Sequence, residues 1–320
     1  MLTGPITLDA VESFFPARTL TVEERAAELE LNPAQTHVFR RIHGLDRMHY
    51  DPALTLHSLI LPPASKILAR IDPARVRYLI YGYALHTIPP SIANTAQEIR
   101  DVLGLTGATA FALTQQNCAI PLSAIDIAGS LLRADGDKDA LALVVTGDKP
   151  FVREAQVIMN TSLIGDGSAA CLVAVDGPGA VIRSFVTRTK GEFSDGMWMT
   201  PQQFRAAAQM RPHTMREVME EAAWQAGYSL DDIQVVIPTN PNTTFWAETI
   251  EHLGLPDGKV FLGNIARYAH CLAADTLINY VTLREDNRFL AGVPAMFVAV
   301  GVGMTFSAMV FTPPPRDGRG

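Results

Sequence analysis

Apolar positions along this chain change rhythm repeatedly between the helical spacing of 3–4 residues and short continuous runs of β-branched and aliphatic residues. Residues 21–42 are charged with a helical period, entered through the capping-box spacing Thr21-Val22-Glu23-Glu24, and turn at His43-Gly44. Residues 53–71 predict a helix interrupted at Pro62-Pro63, and 76–81 a strand. A helix over 92–103, a strand over 108–113, a helix over 120–133 and a strand over 141–145 follow. Continuous apolar strands alternating with helices indicate an α/β chain with a buried, largely parallel sheet.

From Leu163 to Val175 a strand pair is broken at Gly165-Asp166-Gly167, and Asp176-Gly177-Pro178-Gly179 is a turn that reads as a midpoint. Beyond it the pattern predicts strands at 180–186, 235–237, 259–262, 294–300 and 304–311. Helices are predicted at 201–226, 243–253 and 270–284. The second half thus repeats the first in outline, dividing the chain into 1–176 and 177–320.

Composition narrows the class. The 320 residues are 48% hydrophobic and 18% charged, enough apolar surface for a large core and far from a disordered chain. A net charge of −7 argues against nucleic acid as a partner. Three cysteines without a CxxC pair imply neither a disulfide framework nor a zinc knuckle. No run of 18 apolar residues and no basic-then-apolar start is present, so no membrane span or export is predicted and the cytoplasm is the expected location. The tail Pro313–Gly320 reads as unstructured.

Cys118 is the sharpest chemical signal. It follows a predicted strand and precedes a predicted helix with Pro121 in its first turn, where unpaired N–H groups and the helix dipole favour a thiolate. The residue types alone leave two readings open, a nucleophile or a small buried hydrophobe. Cys171, within an apolar strand, and Cys271 read as structural.

Four blocks then occur in order: Gln115-Gln116-Asn117-Cys118, Leu143-Val144-Val145-Thr146-Gly147-Asp148, Gly165-Asp166-Gly167-Ser168, and Val300-Gly301-Val302-Gly303. Together they resemble the thiolase superfamily, nearest the ketoacyl-ACP synthase III branch, over residues 20–312. The resemblance implies a five-layered αβαβα fold from two pseudo-symmetric halves and a homodimer joined through the first half. It also implies a cysteine, here Cys118, that takes an acyl group from a CoA or phosphopantetheine thioester, with no permanently bound cofactor. The oxyanion is then held by the backbone N–H groups of Cys118 and Val302. Val302 replaces the usual middle glycine, which implies a somewhat different shape there. The Gly165–Gly167 block is expected to let two backbone segments pass closely, with Asp166 structural.

The family's His and Asn stretches depart from the pattern here. Thr239 stands where the resemblance implies a histidine, with Asn240 beside it as an amide donor, and His270 stands where it implies an asparagine. His270 becomes the candidate base and His86 the reserve; both have the ordinary reading of a packed or loop histidine. His37, His43, His49, His57, His213 and His252 lack metal-ligand spacing, so no metal is expected. Val38 and Ile42 occupy positions where the resemblance implies groups for the CoA adenine. Arg40, Arg41, Arg47, Arg205 and Arg211 could instead form a basic rim for a carrier protein, or be solvated helix-face charges.

Without a histidine at 239, stabilising the enolate of a decarboxylative condensation is harder than simple transfer. The sequence therefore favours an acyltransferase of secondary metabolism that passes an acyl group from Cys118 to a small-molecule acceptor. The alternatives are a decarboxylative ketoacyl synthase and a non-catalytic subunit of a heteromeric condensing enzyme.

Overall fold

The computed structural model describes residues 1–85, 93–158 and 161–314. The sheet strands, in chain order, are β1 (Ile6–Phe14), β2 (Val76–Gly82), β3 (Thr109–Leu113), β4 (Leu141–Gly147), β5 (Ser168–Val175), β6 (Ala180–Thr189), β7 (Val236–Pro238), β8 (Ala295–Gly301) and β9 (Thr305–Thr312). They lie side by side in the order β7-β8-β9-β6-β1-β5-β4-β2-β3.

The repeat expected from the sequence is visible in this order. In the first half β3, β2 and β4 run parallel, and β5 and β1 follow antiparallel. In the second half β7 and β8 run parallel, and β9 and β6 follow antiparallel. The two sets meet along a short seam, Thr7 opposite Val181 and Leu8 opposite Ala180. The strand expected at 259–262 is reduced to a single parallel bridge between Val236 and Val260, at the place that matches β3 in the first half.

Helices α1 (Val22–Glu28), α2 (Leu56–Leu68), α3 (Thr95–Val102), α4 (Ile120–Asp135), α5 (Pro201–Gln225), α6 (Thr243–Leu253) and α7 (Asp275–Glu285) complete the layers. α2 and α3 cover the first set of strands; α5 covers the second and carries α6 against it. α4 packs on β2, β4 and β5 and also on β8 and β9, while α7 touches β1 and β5 as well as β7 and β8. These two helices therefore form a middle layer between the strand sets, and α7 is buried on nearly every face. This is the five-layered αβαβα thiolase arrangement. None of the described helices is long and apolar enough to cross a membrane.

Two predicted helices are corrected. α2 runs unbroken through Pro62 and Pro63. Pro63 has no N–H for the Leu59 carbonyl, and the Ser168 hydroxyl, 109 residues away, donates to that carbonyl at 2.6 Å instead. The helix predicted over 21–42 does start with the Thr21–Glu24 capping box but stops at Glu28. A second capping box, Asn32 with Gln35, and Pro33 in the first turn begin a new helix there.

Candidate active site

The turn that presents Cys118 is strained and tightly held. Between β3 and α4 the chain takes left-handed conformations at Gln115 (φ 79°) and Asn117 (φ 48°), unusual for residues other than glycine. The β8–β9 turn holds it in place. A Cβ at Gly301 would lie 1.9 Å from the Gln116 carbonyl oxygen, and Asn117 Nδ2 donates to the Val302 carbonyl at 2.5 Å. Cys118 thus sits two residues before α4, 4% exposed, with its sulfur at the entry of a buried helix. The left-handed step of the closing block falls on Gly303 (φ 111°), and Val302 keeps a negative φ.

His270 reaches the sulfur from the second half. The Gly165–Gly167 block passes beside residues 268–271: Gly165 N–H donates to the His270 carbonyl at 3.0 Å, and His270 N–H donates to the Leu163 carbonyl at 3.3 Å. Cβ atoms at Gly165 and Gly167 would lie 2.6 Å from the Tyr268 carbonyl oxygen and from the Cys271 sulfur. Asp166 accepts from Lys149 Nζ at 2.5 Å and from the Asp51 N–H at 2.8 Å, a bracing role away from the sulfur. Left-handed conformations at Ala269 (φ 55°) and Leu272 (φ 52°) flank His270 and turn its ring inward.

His270 Nε2 lies 3.4 Å from Cys118 Sγ, and its Nδ1 lies 2.5 Å from Asp275 Oδ2. Asp275, fully buried at the start of α7, also accepts the N–H groups of Asn240 (2.6 Å) and Cys271 (2.7 Å). Burial alone would lower the His270 pKa; the Asp275 carboxylate and the Cys118 sulfur outweigh it and raise it to about 10. Burial pushes Cys171 up to about 12 and Cys271 well above its usual value, as befits structural thiols.

Asp275 is not among the residues that the sequence motifs mark. The signal was an acidic residue five positions after the matched histidine, in a first helical turn.

The other expected residues divide. Thr239 is 1% exposed and lines the cavity beside Cys118, where its hydroxyl has no hydrogen-bond partner among the described residues. Asn240 is not brought to the sulfur. Its side chain pairs with Asn279 in both directions, at 2.8 and 3.2 Å, behind Asp275, and Asn264 joins that network. His86 lies outside the described residues, as does the tail beyond Pro314. Arg41, Arg47 and Arg205 are exposed and Arg40 is paired with Asp46, whereas Arg211 is not a rim residue: it faces the cavity. Among the described residues no three His, Cys, Asp or Glu side chains cluster as a metal would require.

The cavity at the sulfur measures about 190 Å³. Met199, Phe204 and Ala207 of the α5 region, Phe245 of α6, and Val300, Val302 and Met304 of the closing turn make its wall mainly apolar. A thiol, an imidazole and a carboxylate therefore meet at the end of an apolar chamber, an arrangement able to carry covalent acyl chemistry.

Residues 224–312, which carry Thr239, His270, Asp275 and the closing glycines, match the family model for the C-terminal part of 3-oxoacyl-[acyl-carrier-protein] synthase III. These residues are similar to a ketoacyl-ACP synthase III of the thiolase superfamily. A β-ketoacyl-[acyl-carrier-protein] synthase III of Erythrobacter litoralis is 27% identical to the chain over 322 residues, spanning 92% of this chain and 95% of that one. Among solved structures, the 3-oxoacyl-(acyl carrier protein) synthase III of Pseudomonas aeruginosa superposes with a TM-score of 0.80 at 21% identity, covering 97% of this chain and 99% of that one. The acyltransferase ChlB3 superposes with a TM-score of 0.84, also at 21% identity, covering 97% and 98%. At these identities the structures establish the fold of this ketoacyl synthase III-like chain.

Proposed function

We propose that this protein is an acyltransferase working through an acyl-Cys118 intermediate. The observation that carries the reading is the chain Cys118–His270–Asp275 at the end of an apolar cavity, with Asn240 turned away from the sulfur. His270 Nε2 takes the thiol proton, and the sulfur attacks the thioester carbonyl of an acyl-CoA or acyl-carrier-protein donor. The oxyanion of the tetrahedral adduct is received by the backbone N–H groups of Cys118 and Val302. Collapse expels the carrier thiolate, which takes the proton from His270. In the second half-reaction His270 accepts a proton from the hydroxyl or amine of a small-molecule acceptor, and that oxygen or nitrogen attacks the acyl-cysteine. The Cys118 thiolate leaves and recovers the proton. Asp275 keeps the proton of His270 on Nδ1, leaving Nε2 to act, and balances the imidazolium.

The names of the curated relatives favour a second reading, decarboxylative condensation. It requires two donors converging on an enolate oxygen. Thr239 supplies one neutral hydroxyl, and an imidazole bound to a carboxylate is a better base than donor. A non-catalytic subunit is disfavoured by the assembled relay. We read the protein as a homodimer joined along β3, which forms an open edge of the sheet. Intact-protein mass spectrometry after incubation with acyl-CoA and acyl-carrier thioesters tests the reading. An acyl mass on Cys118, removed on adding an alcohol or amine acceptor, supports transfer; no acyl mass on Cys118 overturns it.

A further inference from the structure

Among the described residues, Arg211 is the one arginine or lysine lining the cavity that holds Cys118 and His270. Its side chain is only 13% exposed, and its guanidinium carbon stacks 4.1 Å above the Phe245 ring, which lines the same cavity. Its Nη2 pairs with Glu248, whose side chain is 57% exposed. Its Nε is buried and has no hydrogen-bond partner among the described residues. A cation removed from water is costly, and burial does lower the Arg211 pKa. A site for a purely apolar acyl chain gains nothing from that cost, since a leucine or methionine would fill the space and bind an alkyl group better. An unfilled donor on a planar, always-charged fork suits a carboxylate oxygen.

Resting on the acyl-cysteine reading above, we propose that Arg211 binds a carboxylate at the far end of the acyl group carried by Cys118, so that the donor is a half-thioester of a short dicarboxylic acid. Glu248 then serves as the stand-in partner that holds the guanidinium over Phe245 while the cavity is empty. Being largely in water, it is free to turn outward when the acyl carboxylate arrives.

The test compares acyl groups matched in shape and differing in charge: malonyl against 3-methylbutanoyl, and succinyl against 4-methylpentanoyl, all as pantetheine thioesters. The rate of mass gain at Cys118 is read on the intact protein. Wild type should load the carboxylate member of a pair about ten- to a hundredfold faster, the scale of one charge-assisted hydrogen bond. Arg211→Met should lose or reverse that preference while still accepting the alkyl member. Glu248→Gln, an exposed change that leaves folding intact, should strengthen it, and this variant decides the matter if Arg211→Met does not fold. Equal or faster loading of the alkyl members by wild type overturns the proposal and leaves the acyl-cysteine reading standing. So does a preference untouched in Arg211→Met or not strengthened in Glu248→Gln. No label on Cys118 from any of the four thioesters overturns both.

Discussion

Asp275 holds His270 by its Nδ1 at 2.5 Å from only five positions along the chain. A carboxylate that accepts only, placed at one ring nitrogen, fixes the tautomer and leaves the other nitrogen facing Cys118. Asp275→Asn retains the size and allows the ring to take the wrong tautomer. Acyl transfer should then fall by about 10²- to 10⁴-fold in kcat, with KM for the thioester little changed. A loss confined to KM would assign Asp275 to architecture alone.

Cys118 should be the thiol that reacts. Cys171 lies within β5 with its pKa pushed up to about 12, and Cys271 is raised well above its usual value beside Asp275 and Asp166, both through burial. Iodoacetamide at neutral pH should therefore label Cys118 first, and Cys118→Ala should abolish acyl loading. Peptide mapping of the labelled protein checks the first outcome; acyl mass persisting in Cys118→Ala would rule out the mechanism.

The strand–turn–helix around Cys118 was legible because its signals are local: an apolar run, a turn and Pro121 in the helix start. Most strands and helices along both halves follow from rhythm in the same way, but β1 does not, and the order of the strands in the sheet came only with the family resemblance. Features that depend on distant partners were not. Nothing near Pro62-Pro63 says that the Ser168 hydroxyl will satisfy Leu59, so the helix reads as broken. Asn240 reads as a donor toward the sulfur because its direction is decided by Asn279, 39 residues on. Asp275 escaped notice because its approach to His270 depends on the irregular turn between them, with Leu272 in a left-handed conformation. Arg211 reads as a surface charge until the packing of α5 against the closing turn makes its cavity.

Asp148 should make stability depend on pH. Its carboxylate is buried and accepts the N–H groups of Ala84 and Leu85, at 2.9 and 2.8 Å, before the segment that contains His86. Burial nonetheless raises its pKa from 3.8 to about 6. A folded-state pKa above the unfolded one means the folded protein binds more protons between pH 4 and 6. The contribution of Asp148 to stability is thus greatest below pH 4 and is lost as pH rises through 6. The stability difference between wild type and Asp148→Asn should shift in favour of Asn over this window, by up to about 3 kcal/mol. Urea unfolding at pH 4, 5, 6 and 7 measures it; a shift of the opposite sign contradicts the assignment.

The open edge of β3 should be covered by a second copy. Residues 109–113 form the end strand of the sheet, paired among the described strands on one side only, with β2. Pairing across a two-fold axis removes that edge and gives an isologous interface. Light scattering at micromolar concentration should give twice 34.7 kDa. A strictly monomeric species excludes this arrangement.

Transfer and condensation separate at Thr239. Its hydroxyl is buried at the cavity wall without a partner among the described residues, and its backbone is fixed by its N–H on the Val298 carbonyl and by Trp246 Nε1 on its own carbonyl. A histidine there would project into the same cavity as Cys118. In wild type the enolate formed by loss of CO₂ from a malonyl thioester meets one hydroxyl and an imidazole committed to Asp275, so CO₂ release should be slow. The double change Thr239→His with His270→Asn supplies an imidazole and an amide as two donors and should raise it. Asp275 works against this gain, because its carboxylate can capture the new amide as it captured Nδ1. Release should therefore rise in the double variant while Cys118 acyl transfer falls, since the relay that deprotonates the acceptor has been dismantled. Measuring CO₂ and ester or amide product in the same assay resolves the two activities. Wild-type protein that already releases CO₂ and accumulates a β-ketoacyl product makes condensation the main reaction.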